Sequence, residues 1–123
     1  MNEDLLNPES IVLHDERAKL FREDYAEKLD DYHSSAFKYG RKKIIEDLEE
    51  MLASLRPGSS ILDVGCGTGY FMNYLRGRGF RVVGVDLSEQ MIRHLREVYG
   101  EVEVHVADAK NLPFPNESFD AII

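Results

Sequence analysis

From residue 60 onward, short apolar runs alternate with amphipathic segments, and this alternation constrains the fold more than any other feature of the chain. Four apolar runs have the length of strands: Ile61–Val64, Val82–Val85, Val102–Val106 and Phe119–Ile123. Two segments between them have helical patterns: Tyr70–Arg76, and a segment that runs from an N-cap at Ser88 to Tyr99. Strands that alternate with helices form parallel sheets with right-handed crossovers. The sequence therefore predicts an α/β fold, a Rossmann-like doubly wound parallel sheet.

The strands differ in how their apolar residues are distributed. Ile61–Val64 and Val82–Val85 contain adjacent apolar residues, which is typical of strands covered on both faces. The third strand alternates strictly, with Val102, Val104 and Val106 separated by Glu or His, which indicates an edge or a face in water. A strand order of 3-2-1-4 accounts for both patterns.

The first half of the chain has helical character. Six apolar residues recur at helical spacings and are expected to share one face: Ile44, Ile45, Leu48, Met51, Leu52 and Leu55. Arg56-Pro57-Gly58-Ser59 is expected to end this helix. We expect one domain over residues 1–123, with a helical lead-in at 1–58 and a core at 59–123.

Three tyrosines in the lead-in, Tyr25, Tyr32 and Tyr39, recur every seven residues. On one continuous helix they would share a face. Packing is the simpler interpretation, and a lid over a bound ligand is the alternative.

Composition and charge limit the classes of partner. The chain has 15 Lys and Arg against 23 Asp and Glu, a net charge of −8, which disfavours binding to nucleic acid. It has no apolar run of the roughly 20 residues that a membrane span needs, and Met1–Leu6 carries no cationic stretch of a secretory signal. One cysteine cannot form an internal disulfide, and neither it nor the histidines have metal-ligand spacing. These features predict a cytoplasmic protein with a small-molecule partner and no metal.

The strongest local signal is the glycine-rich segment Asp63-Val64-Gly65-Cys66-Gly67-Thr68-Gly69, which leaves a strand and opens a helix. Glycines let the backbone turn tightly and let a ligand approach it, and N–H groups at a helix start can bind an anion such as a carboxylate. Asp86 ends the second strand, 21 positions after Gly65, where a carboxylate can accept hydrogen bonds from both hydroxyls of a ribose. Asp108 follows the third strand at the same rim. Ligands of open parallel sheets bind along this rim.

The acidic residues favour one nucleoside cofactor over another. The glycine spacing is G-x-G-x-G, whereas dinucleotide sites have G-x-G-x-x-G. A carboxylate at Asp63, under the turn, would repel a pyrophosphate. S-adenosylmethionine has no phosphate and carries a sulfonium cation, so it is favoured over NAD.

Residues 61–123 resemble the amino-terminal half of a class I S-adenosylmethionine-dependent methyltransferase. Ile61–Tyr70 is similar to the glycine-rich first motif of that family, and Val83–Ser88 resembles its acidic second motif. Three short segments resemble the third motif and the entry to the fourth strand: Ala107-Asp108-Ala109, Leu112-Pro113-Phe114 and Ser118-Phe119-Asp120.

The resemblance implies a role for each matching position. Four residues of the turn would pass their backbone close to the methionine part of the cofactor: Gly65, Cys66, Gly67 and Gly69. Asp63 would hold the turn and lie near the cofactor's amino group, and Asp86 would bind the ribose hydroxyls. The remaining positions would surround the adenine: Leu87 beside it, Met91 packed against it, Asp108 on its exocyclic amine and Ala109 at the ring edge. For Cys66 a packing role is favoured over a nucleophile, although a helix N-terminus lowers thiol pKa values.

The chain stops at Asp120-Ala121-Ile122-Ile123, inside an apolar run. A complete family domain has more strands than these four, so we expect an incomplete fold, the cofactor-binding portion, whose catalytic residues cannot be named. Its fourth strand would be an open edge, which predicts self-association. Three functions stay open: methyl transfer to a small molecule, a non-catalytic cofactor-binding fragment, and an NAD-dependent oxidoreductase.

Overall fold

Parallel strands form a single sheet in the computed structural model, which describes residues 35–123, with side chains described from Tyr39 onward. The elements follow one another in this order: α1 Ser35–Leu52, β1 Ser60–Val64, α2 Tyr70–Gly77, β2 Arg81–Asp86, α3 Glu89–Tyr99, β3 Glu103–Val106 and β4 Ala121–Ile122. The predicted alternation of strands and helices is confirmed.

The strand order is β3-β2-β1-β4, and every pairing is parallel. Ile61 pairs with Val82 on one side and with Ala121 on the other, which places β1 inside the sheet. Because parallel strands end at the same rim, the segments after β1, β2 and β3 meet there. The predicted order 3-2-1-4 is confirmed, with β3 at an edge.

Apolar residues cover the sheet on both faces. One face packs against α2 and α3 through buried residues of the sheet and helices: Ile61, Val82, Val104, Met72, Leu75, Ile92 and Leu95. The other face carries Leu62, Val83 and Val85, and is covered by side chains from the segment before β4: Leu112, Phe114 and Phe119. Strands buried on both faces need consecutive apolar residues, which explains the runs in β1 and β2.

Helix α3 has the ends that the sequence predicts. The hydroxyl of Ser88 accepts a hydrogen bond of 3.1 Å from the backbone N–H of Met91, and Gly100 follows the helix with φ 71°. A capping hydroxyl satisfies one of the N–H groups that a helix start leaves without an intrahelical partner. Helix α3 therefore begins directly after the rim at which β2 ends.

Some expectations about individual residues were wrong. Ile44 is 46% exposed, although its spacing predicted the buried face of α1, and α1 ends at Leu52, before Leu55. Val106, at the end of the edge strand, is 51% exposed, whereas Val104 in the same strand is buried. Strands β3 and β4 are also shorter than predicted, since backbone pairing ends at Glu103–Val106 and Ala121–Ile122.

Two of the three tyrosines in the lead-in, Tyr25 and Tyr32, lie outside the described residues. Tyr39 is described and is 72% exposed, so it is not packed against the described part of the fold.

Candidate functional site

The glycine-rich turn between β1 and α2 is a left-handed bend fixed to the neighbouring strand. Gly65, Gly67 and Gly69 have φ values of 76°, 53° and 86°, a region that residues with a side chain rarely adopt. The backbone N–H groups of Gly65 and Cys66 both donate to the carbonyl of Val85, at 2.8 and 3.0 Å. The turn is thereby attached to the end of β2.

The three glycines differ in what surrounds them. A Cβ atom built on Gly65 or Gly67 would meet nothing within 4 Å, whereas one on Gly69 would lie 2.7 Å from Leu95 Cδ1. Gly69 therefore allows α3 to pack closely against the start of α2. Gly65 and Gly67 leave open space beside the backbone, into which a ligand can approach.

Asp86 connects the turn to the segment that starts α3. Its Oδ2 atom accepts a hydrogen bond of 2.9 Å from the N–H of Gly67, and its Oδ1 atom accepts one of 2.8 Å from the N–H of Ser88. The residue is 9% exposed. Each carboxylate oxygen has two lone pairs, so both oxygens can accept a further hydrogen bond from a ligand.

Asp63, the residue that precedes Val64 at the end of β1, is a second buried carboxyl next to Asp86. It is 7% exposed, and within residues 35–123 no hydrogen bond reaches its side chain. Burial raises the pKa of Asp63 to about 6, and the negative charge of Asp86 adds to this increase. A buried carboxyl without donors is stabilised by a neighbouring cation.

Cys66 has a packing role, in agreement with the expectation from the sequence. The side chain is buried, and its Sγ lies 2.9 Å from the position that a Cβ of Gly84 would take. Burial raises the thiol pKa strongly, and the charges of Asp63 and Asp86 raise it further. The thiol stays protonated, so it is a poor nucleophile.

The remaining predicted positions lie on the loops and helix that follow β2 and β3. Asp108 is half-buried and accepts a hydrogen bond of 2.9 Å from the N–H of Lys110, so part of its role is to shape its own loop. Ala109 is exposed and Leu87 is half-buried, whereas Met91 is 2% exposed in the first turn of α3. The structure thus brings Asp63 and Asp86 together.

Asp108 reaches the same rim through the preceding residue. The backbone N–H of Ala107 donates to the carbonyl of Asp86 at 3.0 Å. Within the part of the chain that the structure describes, no hydrogen bond links the Asp108 carboxyl to Asp63 or Asp86.

Two residues next to the turn, Arg41 and Tyr70, were not predicted as site residues from the sequence. Arg41 is 8% exposed, and its guanidinium carbon lies 4.1 Å from the ring centroid of Tyr70, the residue that follows Gly69. Cations over aromatic faces are attracted by the ring quadrupole. Helical spacing could have predicted that Arg41 is buried. It precedes Leu48 by seven positions and Leu52 by eleven, which places it on the buried stripe of α1.

The chemistry of the site fits S-adenosylmethionine. Open backbone at Gly65 and Gly67 admits a ligand, and the buried carboxyl groups of Asp63 and Asp86 favour a cation over a phosphate. Among the described residues, no three His, Cys, Asp or Glu side chains are grouped to hold a metal ion. The arrangement is therefore suited to an organic cation with hydroxyl groups.

Comparison with known proteins gives a family match over the same region. Residues 61–123 match the family model described as "Methyltransferase domain". A malonyl-[acyl-carrier protein] O-methyltransferase of Erwinia pyrifoliae is 42% identical over 74 residues, which are 58% of this chain and 28% of that protein. The matched segments cover less than a third of the length of the first curated relatives that the chain matches.

Two solved structures show the same fold over most of the chain. A TehB-like S-adenosylmethionine-dependent methyltransferase from Corynebacterium glutamicum superposes with a TM-score of 0.62 at 28% identity, covering 94% of this chain and 54% of that one. The PH0226 protein from Pyrococcus horikoshii gives 0.61 at 33% identity, covering 85% of this chain and 49% of its own.

Proposed function

The chain belongs to the class I S-adenosylmethionine-dependent methyltransferase family, and from this premise we propose that it binds S-adenosyl-L-methionine and contributes to methyl transfer onto a small-molecule acceptor. The observation that carries the proposal is the open left-handed turn at Gly65–Gly69, held by Asp86 beside the buried Asp63. This arrangement offers carboxyl groups where a dinucleotide site would offer positive potential to phosphates.

We assign the binding roles by position around the rim. The backbone of Gly65, Cys66, Gly67 and Gly69 would lie along the methionine part of the cofactor, and Asp63 would interact with its cationic end. Asp86 would accept hydrogen bonds from the ribose hydroxyls, for which its two oxygens retain free lone pairs. Four further residues would surround the adenine: Leu87, Met91, Asp108 and Ala109.

Methyl transfer requires alignment more than acid–base chemistry when the acceptor is already nucleophilic. When bound, S-adenosylmethionine supplies a methyl group made electrophilic by the adjoining sulfonium. The residues of this chain would orient the nucleoside through Asp86, fix the methionine part along the turn, and exclude water through the apolar residues around it. We assign no catalytic residue.

We propose the cytoplasm as the location and one domain over residues 1–123, with a helical lead-in at 1–58 and a cofactor-binding core at 59–123. The single cysteine, buried and unpaired with another cysteine, is compatible with a reducing compartment. Among the described helices, none combines the length and the apolar composition needed to cross a bilayer. The net charge of −8 favours a small-molecule acceptor over nucleic acid.

Calorimetric titration with S-adenosylmethionine, S-adenosylhomocysteine and NAD tests the proposal. Binding of both adenosyl compounds, with no heat for NAD, is expected. Binding of NAD alone, or of none of the three to folded protein, would contradict it.

The transfer step needs a separate assay. Methyl-labelled S-adenosylmethionine is incubated with a panel of small carboxylic acids, phenols, amines and malonyl-acyl-carrier protein, and labelled product is measured. Product from a small-molecule acceptor is expected, whereas cofactor binding without product across the panel would favour a non-catalytic binding fragment.

A further inference from the structure

The two buried carboxyl groups of the site differ in their hydrogen-bond donors. Asp86 receives two backbone N–H groups, from Gly67 and from Ser88, at 2.9 and 2.8 Å. Asp63 is more than nine-tenths buried and, within the described residues, receives none. Hydrogen bonds from N–H groups stabilise the ionised form of a carboxyl, and Asp63 lacks this stabilisation.

Within the part of the chain that the structure describes, no positive charge compensates that of Asp63. Among residues 35–123, the titratable groups that interact with it are Asp86 on β2 and the thiol of Cys66 in the turn. The thiol is neutral, and Asp86 is negative, so ionisation of Asp63 places a second negative charge in a buried location. The raised pKa of about 6 agrees with this arrangement of donors and charges.

We propose that Asp63 is the proton-linked counter-ion of the site: in mildly acidic solution its carboxyl holds a proton in the free protein and releases that proton to solvent when a cationic group of the ligand lies against it. The inference rests on the proposed function, because it takes the ligand to be an adenosyl compound with an ammonium or a sulfonium group. Binding of the ligand is therefore expected to depend on pH through Asp63.

Proton release is measured by calorimetric titration at one pH in buffers of different ionisation enthalpy. The slope of apparent binding enthalpy against buffer enthalpy gives the number of protons exchanged. With a pKa of about 6 in the free protein, the wild type should release about 0.5 proton at pH 6. The α-ammonium of the ligands titrates above this range.

Three ligands separate the two cations. S-adenosylmethionine carries an ammonium and a sulfonium, S-adenosylhomocysteine carries only the ammonium, and 5′-methylthioadenosine carries neither. Proton release with S-adenosylmethionine and S-adenosylhomocysteine, but not with 5′-methylthioadenosine, would identify the ammonium as the cation beside Asp63. Proton release with S-adenosylmethionine alone would identify the sulfonium. Either result supports the inference.

The neutral ligand and one variant make the test decisive. Asp63→Asn should bind S-adenosylhomocysteine without proton release at pH 6. If Asp63→Asn does not fold, the comparison with 5′-methylthioadenosine in the wild type still applies. Binding without release for every ligand, or equal release with 5′-methylthioadenosine, would overturn the inference while leaving the proposed cofactor intact. Failure of all three ligands to bind would instead refute the proposed function.

Discussion

The backbone N–H of Gly67 donates a 2.9 Å hydrogen bond to the carboxylate of Asp86, which joins the glycine-rich turn to the end of the neighbouring strand. The same carboxylate also accepts from Ser88 at the start of the α3 segment. Asp86 therefore shapes the turn on one side and faces the proposed ribose position on the other. A change at this residue affects the form of the site as well as its contacts with ligand.

Replacing Asp86 should weaken cofactor binding. Asp86→Ala removes charge-assisted hydrogen bonds, and we expect the binding free energy of S-adenosylhomocysteine to fall by about 1–3 kcal/mol. Isothermal titration calorimetry measures the change in Kd. Asp120→Ala is the matched control, because Asp120 also accepts a backbone N–H, from Ser60, but at the amino end of β1. An unchanged Kd for Asp86→Ala would refute the assigned role.

Alanine at Gly67 and at Gly69 should have different consequences. Both residues have positive φ, so each substitution costs about 1–2 kcal/mol of backbone strain. At Gly69 the new methyl group would also meet Leu95 at 2.7 Å, which adds about 1–3 kcal/mol of overpacking. Urea denaturation should therefore show a larger loss of stability for Gly69→Ala.

The same pair tests the open side of the turn. Gly67→Ala places its methyl group where nothing lies within 4 Å in the structure, which is the space we assign to the ligand. Gly67→Ala should therefore raise the Kd for the cofactor, although it destabilises the fold less than Gly69→Ala does. Equal destabilisation by both variants, with cofactor affinity unchanged for Gly67→Ala, would contradict the assignment.

The raised pKa of Asp63 predicts how stability depends on pH. Its folded-state pKa of about 6 exceeds the ordinary value of 3.8, so its contribution is fully present below pH 3.8 and is lost as the pH rises through 6. A shift of this size corresponds to a cost of about 3 kcal/mol at neutral pH. Asp63→Asn should therefore raise the free energy of unfolding at pH 7 by about 1–3 kcal/mol, since the neutral amide is itself imperfectly solvated.

Urea denaturation of both proteins at pH 4.5 and pH 7.5 isolates this contribution. The difference in stability between Asp63→Asn and wild type should grow with pH, and other titrating groups cancel in the comparison. A difference that is constant across this range would mean that Asp63 ionises normally in the folded protein.

Loss of the Ser88 hydroxyl should destabilise α3. The side chain is 2% exposed and its hydroxyl accepts from the N–H of Met91, so Ser88→Ala leaves a helix N–H without that partner at a cost of about 1–2 kcal/mol. Ser54→Ala serves as control, because the Ser54 hydroxyl donates to a carbonyl at an exposed position. Thermal unfolding should show a lower Tm for the first variant and little change for the second.

The edge formed by β4 should support self-association. Ile122 is 62% exposed, and β4 pairs with β1 on one side. Light scattering is expected to give an average mass above 14.1 kDa that increases with concentration, and Ile122→Lys should reduce it, because charges on an edge oppose strand pairing. A wild-type monomer at every concentration would rule this out.

The order of the sheet could be predicted from the sequence because burial determines residue pattern. Consecutive apolar residues in β1 and β2 indicated strands covered on both faces, and the alternation around Val104 indicated an edge. Strand length was harder to predict, since the extent of backbone pairing depends on neighbours. Ala121–Ile122 pairs over two residues, although its apolar run is longer.

The candidate site was predictable as a set of positions but not as a set of contacts. Motif spacing indicated that Asp63 and Asp86 lie at one rim, yet the hydrogen bond between Asp86 and Gly67 depends on the exact form of the turn. Spacing also does not distinguish a carboxyl with two N–H donors from one without donors. Arg41 was missed because a cation in an apolar stripe is usually taken as solvent-facing, whereas here it packs over Tyr70.

The absence of a side chain at Gly84 creates the space that Cys66 occupies. A Cβ on this residue would lie 2.9 Å from Cys66 Sγ and 3.0 Å from Met72 Sδ. Any enlargement at position 84 would thus need a reduction at 66 or at 72, and homologues are expected to exchange volume between these sites in compensating pairs. Gly84, in the middle of β2, thus limits which residues can occupy position 66 of the glycine-rich turn.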